Sequence, residues 1–256
     1  MGMKTFRMVA VALFSAAAVI FQLLHGVIGI PTGFGMTVDL VGMPILLAFF
    51  LFGFESALAV CVLVALIVTL VSPETWLGAS MKFAATLPMI LAPALWLLIS
   101  KKKNDFGRLG AIMLLTLTLP LILFVFSGLI NTSLKPFTNN IVVEGIAPII
   151  GLLLSSLFIS HLWAKYGHEV KMSSLAKSES IIIVTALALL VRGVSMVVAN
   201  YYYAGPIFFG ISTEKFMETV PWYLIFGWNV IQGAIEMGFA WAIAFKFKFS
   251  QYYGSM

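Results

Sequence analysis

The sequence predicts an all-α polytopic membrane protein with about eight transmembrane helices. Three observations lead there. Apolar residues make up 61% of the chain and charged residues only 10%, against about 25% charged in an average soluble domain. That shortfall runs the whole length of the chain. The apolar runs are also long and continuous, whereas a β-barrel would show short alternating segments. In lipid, helices satisfy every backbone polar group of such runs internally. At roughly 20 residues per crossing, the 256 residues hold about eight crossings and no sizeable soluble domain. Residues 1–256 therefore read as a single transmembrane domain.

The spans are expected at roughly 6–25, 39–54, 56–72, 79–100, 108–131, 142–164, 178–200 and 219–245. Span 1 follows Lys4 and Arg7. A cleavable leader has the same outline and would leave seven spans. The length of the run, with no clean small-x-small site before a polar start, favours retention. Residues His25 to Val38 are Gly-rich, contain Pro31 and read as an ordered loop. Spans 2 and 3 are separated only by Gly53-Phe54-Glu55, so they form a bent hairpin or one long broken helix.

Positive charge orients the chain, because cytoplasmic loops retain Lys and Arg. Lys4, Arg7, Lys101, Lys102, Lys103, Arg108, Lys165, Lys171, Lys177, Lys246 and Lys248 fall on one side. The other side holds only Lys135 and Lys215. Both termini are thus expected in the cytoplasm, with the chain multi-pass in the cell membrane. The net charge of +5 is then a matter of topology and calls for no nucleic-acid partner.

Ionisable groups inside spans are costly and face the protein interior or a cavity. Lys82, Glu144, Arg192 and Glu236 are such groups, with Asp39 at the outer mouth of span 2. Asn229, Gln232 and Glu236 are spaced by three and four and share one face of span 8. Asn200 ends span 7 on the outer side, with Arg192 two turns deeper on nearly the same face. Tyr201, Tyr202, Tyr203, Trp222 and Trp228 surround this region. Aromatic planes with a few directional polar groups describe a small-molecule site. Plainer readings stand beside it. Arg192 and Glu236 would neutralise each other, and the tyrosines would form an interfacial belt. Asp39 would cap span 2, Glu144 would complement a helix dipole, and Asn229 with Gln232 would hold helices together.

Catalytic signatures are missing. There is no G-x-x-x-x-G-K-[ST] phosphate loop, no H-E-x-x-H and no G-x-S-x-G. His25, His161 and His168 lie in or near separate loops and make a poor metal cluster. Cys61 is alone in an apolar run and reads as a buried inert thiol. No enzyme activity and no metal are expected. In span 1, Ala12 and Ala16 form an A-x-x-x-A pair that lets another helix approach closely. That helix is either a neighbour in the same chain or a partner.

Three stretches carry a family resemblance. Span 1 and its loop are followed by Asp39-Leu-Val-Gly-Met-Pro44. Asn200-Tyr-Tyr-Tyr-Ala-Gly-Pro206 closes span 7. Pro221-Trp-Tyr-Leu-Ile-Phe-Gly-Trp-Asn229-Val-Ile-Gln232-Gly233 opens span 8. In this order they resemble the substrate-binding S component of an energy-coupling factor (ECF) transporter, most nearly the riboflavin type. Gly78-Ala-Ser-Met-Lys-Phe83 resembles the family's G-x-x-x-N-F loosely. Thr37, Gln232 and Lys82 stand where the family pattern has lysine, lysine and asparagine.

The resemblance implies a six-helix core over 1–103 and 178–248, with an inserted helical pair at about 104–177. It implies a high-affinity vitamin-binding subunit of an ECF-type importer, with riboflavin as transported ligand and no other cofactor. Asp39, Asn200, Asn229 and Gln232 would hold the ligand's polar edge, joined by Lys82, while Tyr201 and Trp222 would stack on a ring. Ala12 and Ala16 would dock on a transmembrane T component driven by two cytoplasmic ATPases. The alternatives are an S component for another vitamin or precursor, and a self-sufficient proton-coupled carrier in which Arg192 and Glu236 are essential. Beyond transport stand an intramembrane hydrolase or lipid-modifying transferase, and a subunit with an assembly role alone.

Overall fold

Long apolar runs with few breakers form helices wherever the chain is described, and the protein is all-α apart from one minimal ladder. The computed structural model describes residues 3–71, 75–101, 140–167, 170–247 and 249. Among these, the stretches Thr5–Leu23, Phe54–Val71, Thr75–Ile99 and Glu179–Phe209 are long and apolar enough to cross a membrane.

Helix α1 (Met3–Leu23) packs on α3 (Gly42–Phe52) and α4 (Phe54–Val71). Between α1 and α3 lie a short α2 (His25–Ile28) and a two-residue antiparallel ladder, β1 (Ile30–Pro31) on β2 (Thr37–Val38). The Gly-rich loop is ordered, as expected, and closed by backbone pairing, but its first four residues form a helical turn where no helix was expected. Gly33 and Gly35 turn it at φ of +86° and +84°, conformations that suit glycine.

Span 2 is shorter than expected. Helix α3 has 11 residues and rises about 16 Å, roughly half the hydrocarbon thickness. It stops at Gly53, whose φ is +88° and where a side chain would also press on the Trp163 ring at 3.1 Å. Helices α3 and α4 are thus two helices, packed on one another, with one glycine between them.

Helix α5 (Thr75–Lys101) is the central element, with 83% of its most apolar window buried. It packs on α4, on α6 (Asn140–Tyr166) and on α7 (Ser178–Ala199). Leu87, Ile90, Leu91 and Leu95 of α5 join Phe49, Phe50 and Phe54 in the core. The prolines Pro88 and Pro93 lie inside α5, where each lacks the N–H that an interior helical position donates. In α6, Leu152, Ser155, Ser156 and Ile159 are buried while Leu153, Leu154, Leu157 and Phe158 are exposed. The exposed face is more apolar than the buried one, which suits a lipid surrounding and not water. The other expected span of the inserted pair, 108–131, and the side chain of Glu144 lie outside the described residues.

Helix α7 continues through a π-turn at Asn200–Ala204 into α8 (Gly205–Phe209), which ends at a left-handed Gly210. After α9 (Thr213–Thr219), Pro221 caps α10 (Trp222–Trp241). Helix α10 is 20 residues long and carries the polar stripe Asn229, Gln232 and Glu236, all buried against the rest of the protein. It packs on α7 and α3.

Candidate functional site

The site is built where α3, α5, α7 and α10 meet under the ladder loop. Asp39 precedes α3, and its Oδ1 accepts from the Val41 N–H at 3.1 Å, in the manner of an Asx turn. The same oxygen accepts from Gln232 Nε2 of α10 at 3.2 Å. Its other oxygen pairs with Lys82 Nζ of α5. Asp39 therefore does more than start a helix: one buried carboxylate joins α3, α5 and α10.

One helical turn beyond Gln232, Glu236 makes the second centre. Its Oε2 accepts from Arg192 Nη1 of α7 at 2.7 Å. Its Oε1 accepts from the Gly42 N–H at 2.9 Å and from Gln232 Nε2 at 3.3 Å. Both members of this ion pair are only 2% exposed. Placing the carboxylate at the first turn of α3 also sets it against the positive end of that helix dipole. A chain of five side chains thus runs Lys82–Asp39–Gln232–Glu236–Arg192. It contains two complete ion pairs and carries no net charge.

Above this floor lies a cavity of about 140 Å³. Asp39, Lys82, Arg192, Asn200, Asn229, Gln232 and Glu236 all line it. Five of the seven ligand-binding residues expected from the sequence meet here, drawn from positions far apart in the chain. Asn200 sits in the π-turn, a geometry frequent at functional sites. Its Nδ2 donates to the Met196 carbonyl at 2.8 Å. Asn229 Nδ2 donates to the Ile225 carbonyl at 2.8 Å and lies 3.5 Å from Met36 Sδ.

Tyr201 and Trp222 are not among the lining residues. The Tyr201 hydroxyl donates to the Val220 carbonyl at 2.9 Å, and its ring stands edge-on to Phe216. Trp222 begins α10 with 58% of its surface exposed and its ring against Tyr223 and Phe226. The aromatic walls are instead Phe34 of the ladder loop and Phe208 and Phe209 of α8. Sequence reasoning missed these three. The signal that could have found Phe34 is its place between Gly33 and Gly35, both at positive φ. Gln22 and His25 complete the mouth. Ala12 and Ala16 lie away from the cavity, both exposed on α1.

Comparisons of the chain with protein-family models, with curated proteins and with solved structures found no match.

Proposed function

We propose that the protein is a multi-pass membrane protein, built from about eight crossings around a six-helix core, that captures a vitamin as the S component of an ECF-type importer. Riboflavin is the first ligand to test. One observation carries the reading. Asp39, Asn200, Asn229 and Gln232, from the three separate motifs that prompted the resemblance, line a single cavity. In this reading Ala12 and Ala16 on the exposed face of α1 meet the T component, and the paired ATPases supply the energy. Both termini face the cytoplasm of the cell membrane.

The cavity resembles in size one of about 150 Å³ that admits a benzene ring. A three-ring flavin is larger, so its capture entails movement of the lining, which includes the rings of Phe34, Phe208 and Phe209.

The buried Arg192–Glu236 pair favours a second reading, a self-sufficient proton-coupled carrier. Glu236 is held by three donors at once, which suits a structural pin better than a group that gains and loses protons.

The test is to purify the protein in detergent without added ligand, record its visible absorption and titrate riboflavin against tryptophan fluorescence. A flavin spectrum, or saturable quenching at nanomolar to low micromolar riboflavin, is the expected result. A colourless protein with no quenching removes riboflavin. Uptake that needs no ATPase partner would favour the carrier.

A further inference from the structure

We propose that the cavity selects uncharged ligands that donate hydrogen bonds, because three of its lining amides, Asn200, Asn229 and Gln232, turn carbonyl oxygens away from their protein partners. The inference rests on the binding reading above and specifies the ligand's chemistry. Each amide nitrogen already donates to a protein acceptor. Asn200 Nδ2 faces the Met196 carbonyl and Asn229 Nδ2 the Ile225 carbonyl, each at 2.8 Å. Gln232 Nε2 sits between two carboxylate oxygens, 3.2 Å from Asp39 and 3.3 Å from Glu236. An oxygen in any of these three places would face another oxygen, so the amide orientations follow from the partners.

A carbonyl oxygen remains on each amide. That of Asn229 has no hydrogen-bond partner among the described residues, but it is buried out of a ligand's reach. Those of Asn200 and Gln232 likewise accept no hydrogen bond among the described residues. A buried acceptor without a donor is costly, and a ligand N–H or O–H removes that cost at Asn200 and Gln232.

Charge narrows the class further. Asp39 is paired with Lys82, and Glu236 with Arg192. An anion would find no unpaired positive charge, since Lys82 and Arg192 each already face a carboxylate. A cation would be buried beside Lys82 and Arg192 with no spare carboxylate. Phe34, Met81, Met196 and Phe208 add apolar walls. The occupant is therefore an uncharged, ring-bearing molecule with N–H or O–H donors along one edge.

The test uses the full chain in lipid nanodiscs and four probes followed by tryptophan fluorescence. Lumazine has two uncharged rings with ring N–H groups, and 1,3-dimethyllumazine has the same rings without them. Nicotinate is an anionic ring and thiamine a cationic one. Lumazine is expected to bind saturably and dimethyllumazine about tenfold or more weaker, since a site built for a donor rejects an analogue lacking it. Nicotinate and thiamine are expected to show no saturable binding. The proposal is overturned if neither lumazine binds, if dimethyllumazine matches lumazine, or if either charged probe binds as tightly. Riboflavin titrated in parallel separates the two readings. Lumazine selectivity without riboflavin binding ends the riboflavin reading and leaves the selection rule. Riboflavin binding without that selectivity does the reverse.

Discussion

The carboxylate of Glu236 lies against the backbone of Gly42, 194 positions earlier, and accepts its N–H at 2.9 Å. A Cβ on Gly42 would sit 2.6 Å from the carboxylate atoms. Close approach, not backbone conformation, favours glycine at this place, since the carboxylate is held by three donors and gives way only by loosening them. Gly42→Ala is expected to destabilise the protein by about 1–3 kcal/mol, the usual range for overpacking. A lower melting midpoint in detergent would report it. Shortening the acid in Gly42→Ala/Glu236→Asp should restore part of the loss. An unchanged midpoint for Gly42→Ala would mean that the contact is not as close as described.

Breaking the pair between Arg192 and Glu236 should cost more. Glu236→Ala leaves a buried guanidinium without its partner, and removing one member of a buried pair costs about 3–5 kcal/mol. The double variant Arg192→Met/Glu236→Met removes both charges and should regain most of that stability. Thermal melts of the three proteins check this. A double variant no better than the single one would show that the pair is needed for more than mutual neutralisation.

Ligand affinity should separate Asn200 from Trp222. Asn200 lines the cavity, while Trp222 is outside its lining and exposed. In the riboflavin titration, Asn200→Ala should weaken binding about tenfold, equivalent to one hydrogen bond of about 1.4 kcal/mol. Trp222→Phe should change the dissociation constant by less than about twofold, since nothing buried is disturbed. The reverse ranking would return the ring-stacking role to Trp222.

Enlarging the exposed alanines should divide transport from binding. Ala12→Leu/Ala16→Leu adds bulk where α1 faces outward, so ligand titration and melting should be unaffected. If that face meets a partner helix, close approach is blocked and ATP-dependent uptake in cells should fall to background. Uptake at the unaltered level would remove this face from the docking surface.

Much of the polar floor was legible in the sequence because helical periodicity is a local property. Asn229, Gln232 and Glu236 were expected on one face, and all three are buried on it. The pairing of Arg192 with Glu236 was the plainer of the readings open for these two residues, and it is the one observed. The aromatic placements were not legible. At Asn200 the helix widens into a π-turn, which changes the rotation per residue, and Tyr201 is carried away from the cavity toward Phe216. Trp222 shares a face with Asn229 by count but lies seven residues, about 10 Å, further along the axis. Phe34 depends on a ladder between Ile30–Pro31 and Thr37–Val38, set by chain closure and not by periodicity. The length of α3 escaped for a related reason. Apolar composition continues past Gly53, but its positive φ ends the helix.

The position of Arg192 bears on how the chain is made. Its acid lies 44 residues downstream, on a helix that leaves the ribosome later. An arginine at the centre of a lone inserting helix costs about 2.5–3.5 kcal/mol. In the membrane reading, α7 therefore gains by waiting beside the translocon until α10 emerges, and the two helices enter lipid together with their charges already joined.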